Sequence, residues 1–341
     1  MDEFVQISYY HSALLTLLVI AGCQTQTGTP YVTEGTFAEI CESLPGEENA
    51  KLRLSDVSDD WFQVYEVSEG VYSIVEPYQF QETISHLILG EQRAVLFDTG
   101  LGLLPIRPVV ERITSLPVSV LNSHTHYDHV GGNAEFSSVL AIDSEYTKAN
   151  MSDFEHSRVE YDLTPEAFCN GPPEGADVST FYTKPWKASR YIEDGEILNL
   201  GGRTLEVLHV PGHTPDATVL LDAENGLLFT GDTFYDAELW LFVPESNLDD
   251  YGRSISRLAN LESNVKYLLG AHRSARVDAG RLRQVEAAFQ KLCSGRFTGD
   301  AESGDPLIFR IDGVEFVTAQ PVLDGKQGDI SNGGSGLDTW P

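Results

Sequence analysis

Within six residues, His124-Thr125-His126-Tyr127-Asp128-His129, the chain places three imidazoles and a carboxylate. Neutral imidazole and carboxylate are the donors that borderline cations such as Zn²⁺ prefer. An apolar run, Val118 to Ser123, precedes the cluster and reads as a strand, so the cluster lies on the loop at that strand's C-terminal end. Side chains on such loops need not pack in a core and are available for binding. Alternate residues of an extended stretch point the same way. His124 and His126 can therefore grip one ion while Asp128 and His129 turn toward a second. The ordinary alternative is a polar surface loop with a chance excess of His. Against it, the chain has only nine histidines, and three of them fall here.

Other strand-like runs end on the same residue types. Arg203 to His209 leads into Val210-Pro-Gly-His213-Thr, Leu227 to Gly231 ends on Asp232, and Leu268-Leu-Gly-Ala ends on His272. Val95-Leu-Phe-Asp98-Thr-Gly100 adds one more carboxylate at a strand end. A single histidine after a strand is usually structural, but residues that all sit where strands give out gather at one edge of a sheet. Of the remaining histidines, His209 reads as packing or bracing beside the Pro-Gly-His turn. His86 lies on an alternating strand and can face the site or solvent, and His11 and His156 look incidental. No Ser-His-Asp or Cys-His arrangement stands out.

From about Trp61 to Arg296 the chain resembles the metallo-β-lactamase-fold hydrolase superfamily, nearest in motif to its lactonases and glyoxalase II type dinuclear zinc hydrolases. The resemblance rests on the H-x-H-x-D-H signature, the Pro-Gly-His-Thr, Gly-Asp-Thr and Gly-x-His turns, and the early Asp98-Thr-Gly turn. It implies two Zn²⁺ ions, with Fe or Mn as alternatives: His124, His126 and His213 on the first, Asp128, His129 and His272 on the second, and Asp232 bridging. Asp98 would orient a ligand histidine or serve as a turn former. A hydroxide held between two cations is a nucleophile at neutral pH, so the implied reaction is attack on an ester, lactone or thioester carbonyl, with Asp128 and Asp232 at its centre. Asp232-Thr-Phe-Tyr235 is similar to the bridging-Asp-x-x-Tyr of the quorum-quenching acylhomoserine lactonases, which would put the Tyr235 phenol on the substrate carbonyl. Two alternatives stay open. One is a β-lactam hydrolase, although Asp232 stands where zinc β-lactamases generally carry Cys or Ser. The other is a mononuclear iron oxidoreductase like the persulfide dioxygenases.

The element pattern agrees with an α/β fold. Strands are expected at Val71–Val75, Thr83–Leu89, Arg93–Phe97, Thr204–His209, Ala217–Asp222 and Gly226–Thr230, and helices at Leu103–Leu116, Asp250–Leu261 and Ala279–Cys293. Strand-rich halves each followed by helices suit a four-layer αβ/βα sandwich, two mixed sheets with helices on the outer faces. Residues 61–296 form the expected catalytic domain, 24–60 a linker or cap, 297–323 a C-terminal hairpin and 324–341 a disordered tail.

Fifty-two acidic against 22 basic residues give a net charge of −30. Such a chain repels a phosphate backbone, so no nucleic-acid partner is expected. The apolar stretch Ala13 to Ala21 is too short to span a bilayer and reads as part of a signal peptide. Ile20-Ala-Gly-Cys23 resembles a lipobox, although residues 1–12 lack Lys and Arg. Export is therefore expected, with a lipid on Cys23 as the one membrane attachment, in the periplasm or on the outer membrane of a bacterium. Cys41, Cys169 and Cys293 then allow at most one disulfide and one free thiol, with the pairing open. Two aromatic-rich segments, 144–196 and 233–248, are expected to wall a small-molecule substrate that carries an apolar group.

Overall fold

Ala94-Val-Leu-Phe97 is apolar without alternation, the mark of a strand covered on both faces, and all four residues are buried in the computed structural model. The structure describes residues 41–152, 154–294, 301–302 and 307–318. This run is the fifth strand of an eight-stranded sheet whose spatial order follows the chain. The strands are β1 Arg53–Leu54, β2 Gln63–Ser68, β3 Val71–Val75, β4 Ile84–Leu89, β5 Ala94–Phe97, β6 Val118–Leu121, β7 Val139–Ile142 and β8 Arg190–Ile192. β1 to β5 are antiparallel neighbours and β5 to β8 are parallel ones. Parallel neighbours need crossovers. Helix α1, Arg107–Ile113, supplies the first, and short α2, Tyr127–Val130, and α3, Glu145–Ala149, lie in the next two. α1 starts later than its apolar stripe suggested, because Gly102 with φ +75° and Pro105 hold the preceding residues in a loop.

The chain continues through β9 Ile197–Asn199, β10 Thr204–His209, β11 Thr218–Asp222, β12 Leu227–Gly231, β13 Leu239–Leu241, β14 Tyr267–Gly270 and β15 Val277–Asp278. All but β13 form a second sheet in the order β15-β14-β12-β11-β10-β9. Its parallel β12–β14 pair is bridged in sequence by α4, Leu248–Ala259, and α5 is Arg281–Ser294. Alternation sorts the side chains into layers. Ile84, Val95, Phe97 and Leu121 of the first sheet meet Val207, Leu220, Phe229 and Leu269 of the second. On the first sheet's other face, Leu96 and Val120 pack with Val109 and Val110 of α1. On the second sheet's other face, Leu228 and Leu268 pack with Ile255 and Leu258 of α4 and Leu282, Val285 and Phe289 of α5. This is the helix–sheet–sheet–helix sandwich the sequence led one to expect.

A third, small sheet was not expected. β13 pairs parallel with β18, Val314–Thr318, which continues to β17, Leu307–Ile311, and β16, Ala301–Glu302. The late hairpin thus joins a strand that lies just after Asp232, and Ile311, Val314 and Phe316 bury against α5. The cap before residue 61 is fastened too. Asn49 donates to the Arg273 carbonyl at 2.8 Å and accepts the Ala275 N–H at 2.8 Å. Cys41 forms a disulfide with Cys169, and Cys293 is a free, exposed thiol. Among the described residues no helix is long and apolar enough to cross a membrane. The expected signal peptide with Cys23 and the tail 324–341 lie outside the described residues.

Candidate metal centre

Backbone conformation brings the strand ends together. Asp98 follows β5 at φ +67°, a left-handed conformation few non-glycine residues adopt. There its Oδ1 accepts the Ser123 N–H at 2.6 Å, and its Oδ2 faces His129 Nδ1 at 3.1 Å. One buried carboxylate thus ties β5 to β6 and orients an imidazole, the ligand-orienting option raised for it. Gly231, at φ +52°, seats the Asp232 turn against the first loop, since a Cβ there would come within 2.3 Å of Ser123 Cβ. Asp216 laces the two histidine turns together. It accepts from Thr125 at 2.6 Å, Thr147 at 3.0 Å and Thr214 at 2.8 Å.

The seven expected ligands meet in two adjoining groups. His124 Nε2, His126 Nδ1 and His213 Nε2 lie 2.9, 3.2 and 3.3 Å from one another. Nitrogens around a tetrahedral ion with bonds of about 2.0–2.1 Å are separated by about 3.3 Å, so the trio is close to that spacing. In the second group His129 Nε2 is 3.1 Å and His272 Nε2 3.7 Å from Asp128 Oδ2. Asp232 stands between the groups. Its Oδ2 is 3.6 Å from His213 Nε2 and 3.9 Å from His124 Nε2, while its Oδ1 is 3.1 Å from His272 Nε2 and 3.7 Å from His129 Nε2.

Proton placement fits metal binding. A carbonyl only accepts, so His213 Nδ1, 2.7 Å from the Trp240 carbonyl, and His272 Nδ1, 2.7 Å from the Gln81 carbonyl, both carry hydrogen. His129 gives its Nδ1 proton to Asp98 and His126 its Nε2 proton to Glu245, 3.1 Å away. His124 Nδ1 pairs with Ser123 Oγ at 3.0 Å. In their neutral forms His126, His129, His213 and His272 therefore turn a lone pair toward the centre, and the Ser123 hydroxyl is able to accept from His124 so that it does the same. Two buried atoms there, His129 Nε2 and Asp232 Oδ1, have no hydrogen-bond partner. Buried polar atoms of that kind are costly unless something satisfies them, and a divalent cation does so for nitrogen and carboxylate alike.

Electrostatics divides the imidazoles. Burial, then the neighbouring rings, hold His124 well below the usual histidine range, and burial brings His213 down to about 4. Burial also works against a charged His129 and His272. Asp128 and Asp232 beside the first and Asp232 beside the second outweigh it and raise both. Burial likewise opposes ionisation of Asp128 and Asp232, yet His129 beside the one and His272 beside the other bring them down. The two carboxylates thus draw positive charge into a buried site, and metal ions supply it more fully than protonated rings can.

Several groups that hold the site carry no sequence signal. Glu245, Tyr146 and the Gln81 and Trp240 carbonyls lie far from the His cluster in sequence. A carbonyl is common to every residue, and a single Glu in Val-Pro-Glu has no periodicity to mark it. His86 is buried away from the cluster, bridging Ser73 Oγ and the Gly270 carbonyl at 2.9 Å each, and His209 braces the Pro215 carbonyl at 2.8 Å. Tyr235 has a partner within its own loop. Its ring packs edge-on against His272 with centroids 4.9 Å apart, but its hydroxyl donates to the Glu238 carbonyl. A phenol has one proton, and here it goes to a carbonyl of its own loop, so a role on a substrate carbonyl requires the hydroxyl to turn away from Glu238. Of the aromatics expected to wall the substrate, Phe154, Phe168 and Trp186 pack in the core on the α1 face of the first sheet and Phe234 in the core beneath α4 and α5. Tyr161, Tyr182 and Tyr191 are exposed, and Trp240 packs at a tilt against Phe242 with ring centroids 5.4 Å apart.

Known proteins are similar to this chain in sequence or fold. The chain is 30% identical over 213 residues to the acyl-coenzyme A thioesterase MBLAC2 of Gallus gallus, covering 59% of this chain and 76% of that one. It is 28% identical over 170 residues to the hydroxyacylglutathione hydrolase of Aeromonas hydrophila, covering 49% and 52%. The solved sec-alkylsulfatase Pisa1 from Pseudomonas sp. shares the fold at a TM-score of 0.53 and 18% identity, over 68% of this chain and 42% of that one. The sequence profile of the metallo-beta-lactamase superfamily matches residues 83–272, which hold every strand end described above. The chain belongs to the metallo-beta-lactamase superfamily and is a metal-dependent hydrolase of that fold.

Proposed function

We propose that the chain is a dinuclear hydrolase of acyl thioesters, carboxylic esters or lactones, with zinc as the preferred metal. The observation that carries this reading is the stance of Asp232 between the two groups, its Oδ2 3.6 Å from His213 Nε2 and 3.2 Å from His272 Nε2 and its Oδ1 3.1 Å from His272 Nε2 and 3.7 Å from His129 Nε2. A single carboxylate within reach of both donor sets suits two ions, which favours the dinuclear reading over the mononuclear iron alternative. When bound, such ions lower the pKa of water and polarise a carbonyl oxygen. The protein's own part is to hold seven donors in register and to manage the proton. Asp128, ionised beside His129, can accept the proton that the attacking water releases and return it to the leaving thiolate or alkoxide. One relative is named for acyl-coenzyme A thioester cleavage and another for hydroxyacylglutathione hydrolysis, so acyl thioesters lead the panel. In a panel of thioesters, esters, lactones, phosphodiesters and β-lactams, the first three should turn over. Asp232→Ala should lower kcat/KM by at least about 1000-fold, beyond the range for losing a single oxyanion donor. A preference for β-lactams or phosphodiesters, or an Asp232→Ala variant with wild-type rates, would refute the reading.

We also propose export with lipid attachment at Cys23. The Cys41–Cys169 disulfide supports an oxidising compartment. Cys23→Ser should move the protein out of the membrane fraction.

A further inference from the structure

The loop between β13 and α4 holds two of the three imidazoles in the first donor group. Its Ser246 hydroxyl donates to the His213 carbonyl at 2.9 Å, and the Trp240 carbonyl of β13 itself accepts from His213 Nδ1 at 2.7 Å. Glu245, from the same loop, is 8% exposed and reaches across to the other strand end. Its Oε1 lies 3.1 Å from His126 Nε2 and accepts the Tyr146 hydroxyl at 2.5 Å. Tyr146 is on α3, so three separate elements converge on one carboxylate oxygen. His126 is the one member of its trio whose outer nitrogen faces a charged partner. His213 leans on a carbonyl and His124 on the Ser123 hydroxyl.

An imidazole can offer Nδ1 as a lone pair only if its proton sits on Nε2. Left to itself, the ring can carry the proton on either nitrogen and can rotate about χ2, which is broad for histidine. A carboxylate at Nε2 fixes both choices, and partners of this kind commonly govern metal affinity. The Tyr146 phenol in turn fixes the carboxylate, because its only proton goes to the same oxygen. We propose that Glu245, held by Tyr146, is a positioning residue that locks His126 as an Nδ1 donor and sets the metal affinity of the first site. The proposal rests on the reading of the His trio as a metal site.

The test is chelator titration of the zinc-loaded full chain, following both zinc equivalents, for wild type, Glu245→Gln, Glu245→Ala and Tyr146→Phe. Gln keeps an acceptor but loses the charge. The phenylalanine variant keeps the ring but removes the buttress. One equivalent should leave Glu245→Ala at about 10- to 100-fold lower chelator concentration than wild type, with the second equivalent little changed. Glu245→Gln should fall between the two, and Tyr146→Phe should shift the same equivalent in the same direction by a smaller factor. Nitrogen NMR of wild type should show the His126 proton on Nε2. If Glu245→Ala proves unstable, the Gln and Tyr146→Phe variants carry the test unaided. Wild-type affinity at both sites in all three variants would overturn the positioning role while leaving the metal centre standing. Equal weakening of both sites, together with a lower melting temperature in every variant, would show a merely structural role and overturn it too. A wild-type chain that holds no zinc would overturn the metal centre itself.

Discussion

Tyr235→Phe separates the two roles open to the phenol beside the site. The hydroxyl donates to the Glu238 carbonyl, so its removal should cost about 1 kcal/mol of stability, the net worth of a typical hydrogen bond. kcat/KM on the best ester or thioester should change by less than about 10-fold. A drop of 100-fold or more, with metal content unchanged, would return Tyr235 to the substrate carbonyl. This residue also shows where reading the sequence stops. The metal donors were legible because chemistry restricts them to a few residue types and because each follows an apolar run. Asp98 was legible for the same reason. Tyr235 has the right neighbours in sequence, but the direction of its hydroxyl depends on a carbonyl three residues on. Glu245 and Tyr146, 119 and 20 residues from His126, meet it only through tertiary folding.

At the scale of elements, the segment between β7 and β8 is pinned to the loop between β3 and β4 by a buried hydrogen-bond chain. Gln81 donates through Nε2 to Asp128 at 3.3 Å and accepts through Oε1 from Tyr127 at 2.9 Å. The Tyr127 oxygen is also 2.6 Å from Asp162 Oδ2. Tyr127 has one proton for two acceptors, and the conflict is resolved if Asp162 keeps its own proton and donates it. Burial, the largest influence, pushes Asp162 up to about 7 in agreement with this. In the unfolded chain the same group releases its proton near 4. Between those values the folded state binds more protons, so stability falls as pH rises from about 4 to about 7 and levels off above. Asp162→Asn reproduces the protonated form. Urea melts should show the variant equal to wild type near pH 4 and more stable by a few kcal/mol at pH 8. A variant less stable at pH 8 would contradict the neutral Asp162. Strand positions were readable where an apolar run leads into a turn, as in β3, β5 and β10. β7, β8, β9 and β13, three or four residues each, were missed, as was β2, six residues long but broken by Gln63 and Glu66. The third sheet was missed because no local pattern announces that β13 and β18, 73 residues apart at Leu241 and Val314, will pair.

For the whole molecule, a net charge of −30 sets how substrates approach. Polyanions such as acyl-coenzyme A meet long-range repulsion that salt screens, whereas neutral esters do not. kcat/KM for an acyl-coenzyme A should therefore rise several-fold between about 10 and 150 mM salt, while that of a neutral thioester stays flat. Opposite trends would mean that a local basic surface guides the substrate in spite of the total charge. The same repulsion underlies the proposal that nucleic acid is not a partner, and tight binding of RNA or DNA at physiological salt would refute it. The central claim is that two donor sets sharing Asp232 hold two ions and that these support hydrolysis. It is tested most directly by measuring metal equivalents per chain alongside thioester hydrolysis while a chelator withdraws the metal. The account predicts two equivalents in the active protein, loss of activity as they leave and recovery when zinc returns. Full activity with one equivalent, or with none, would contradict it.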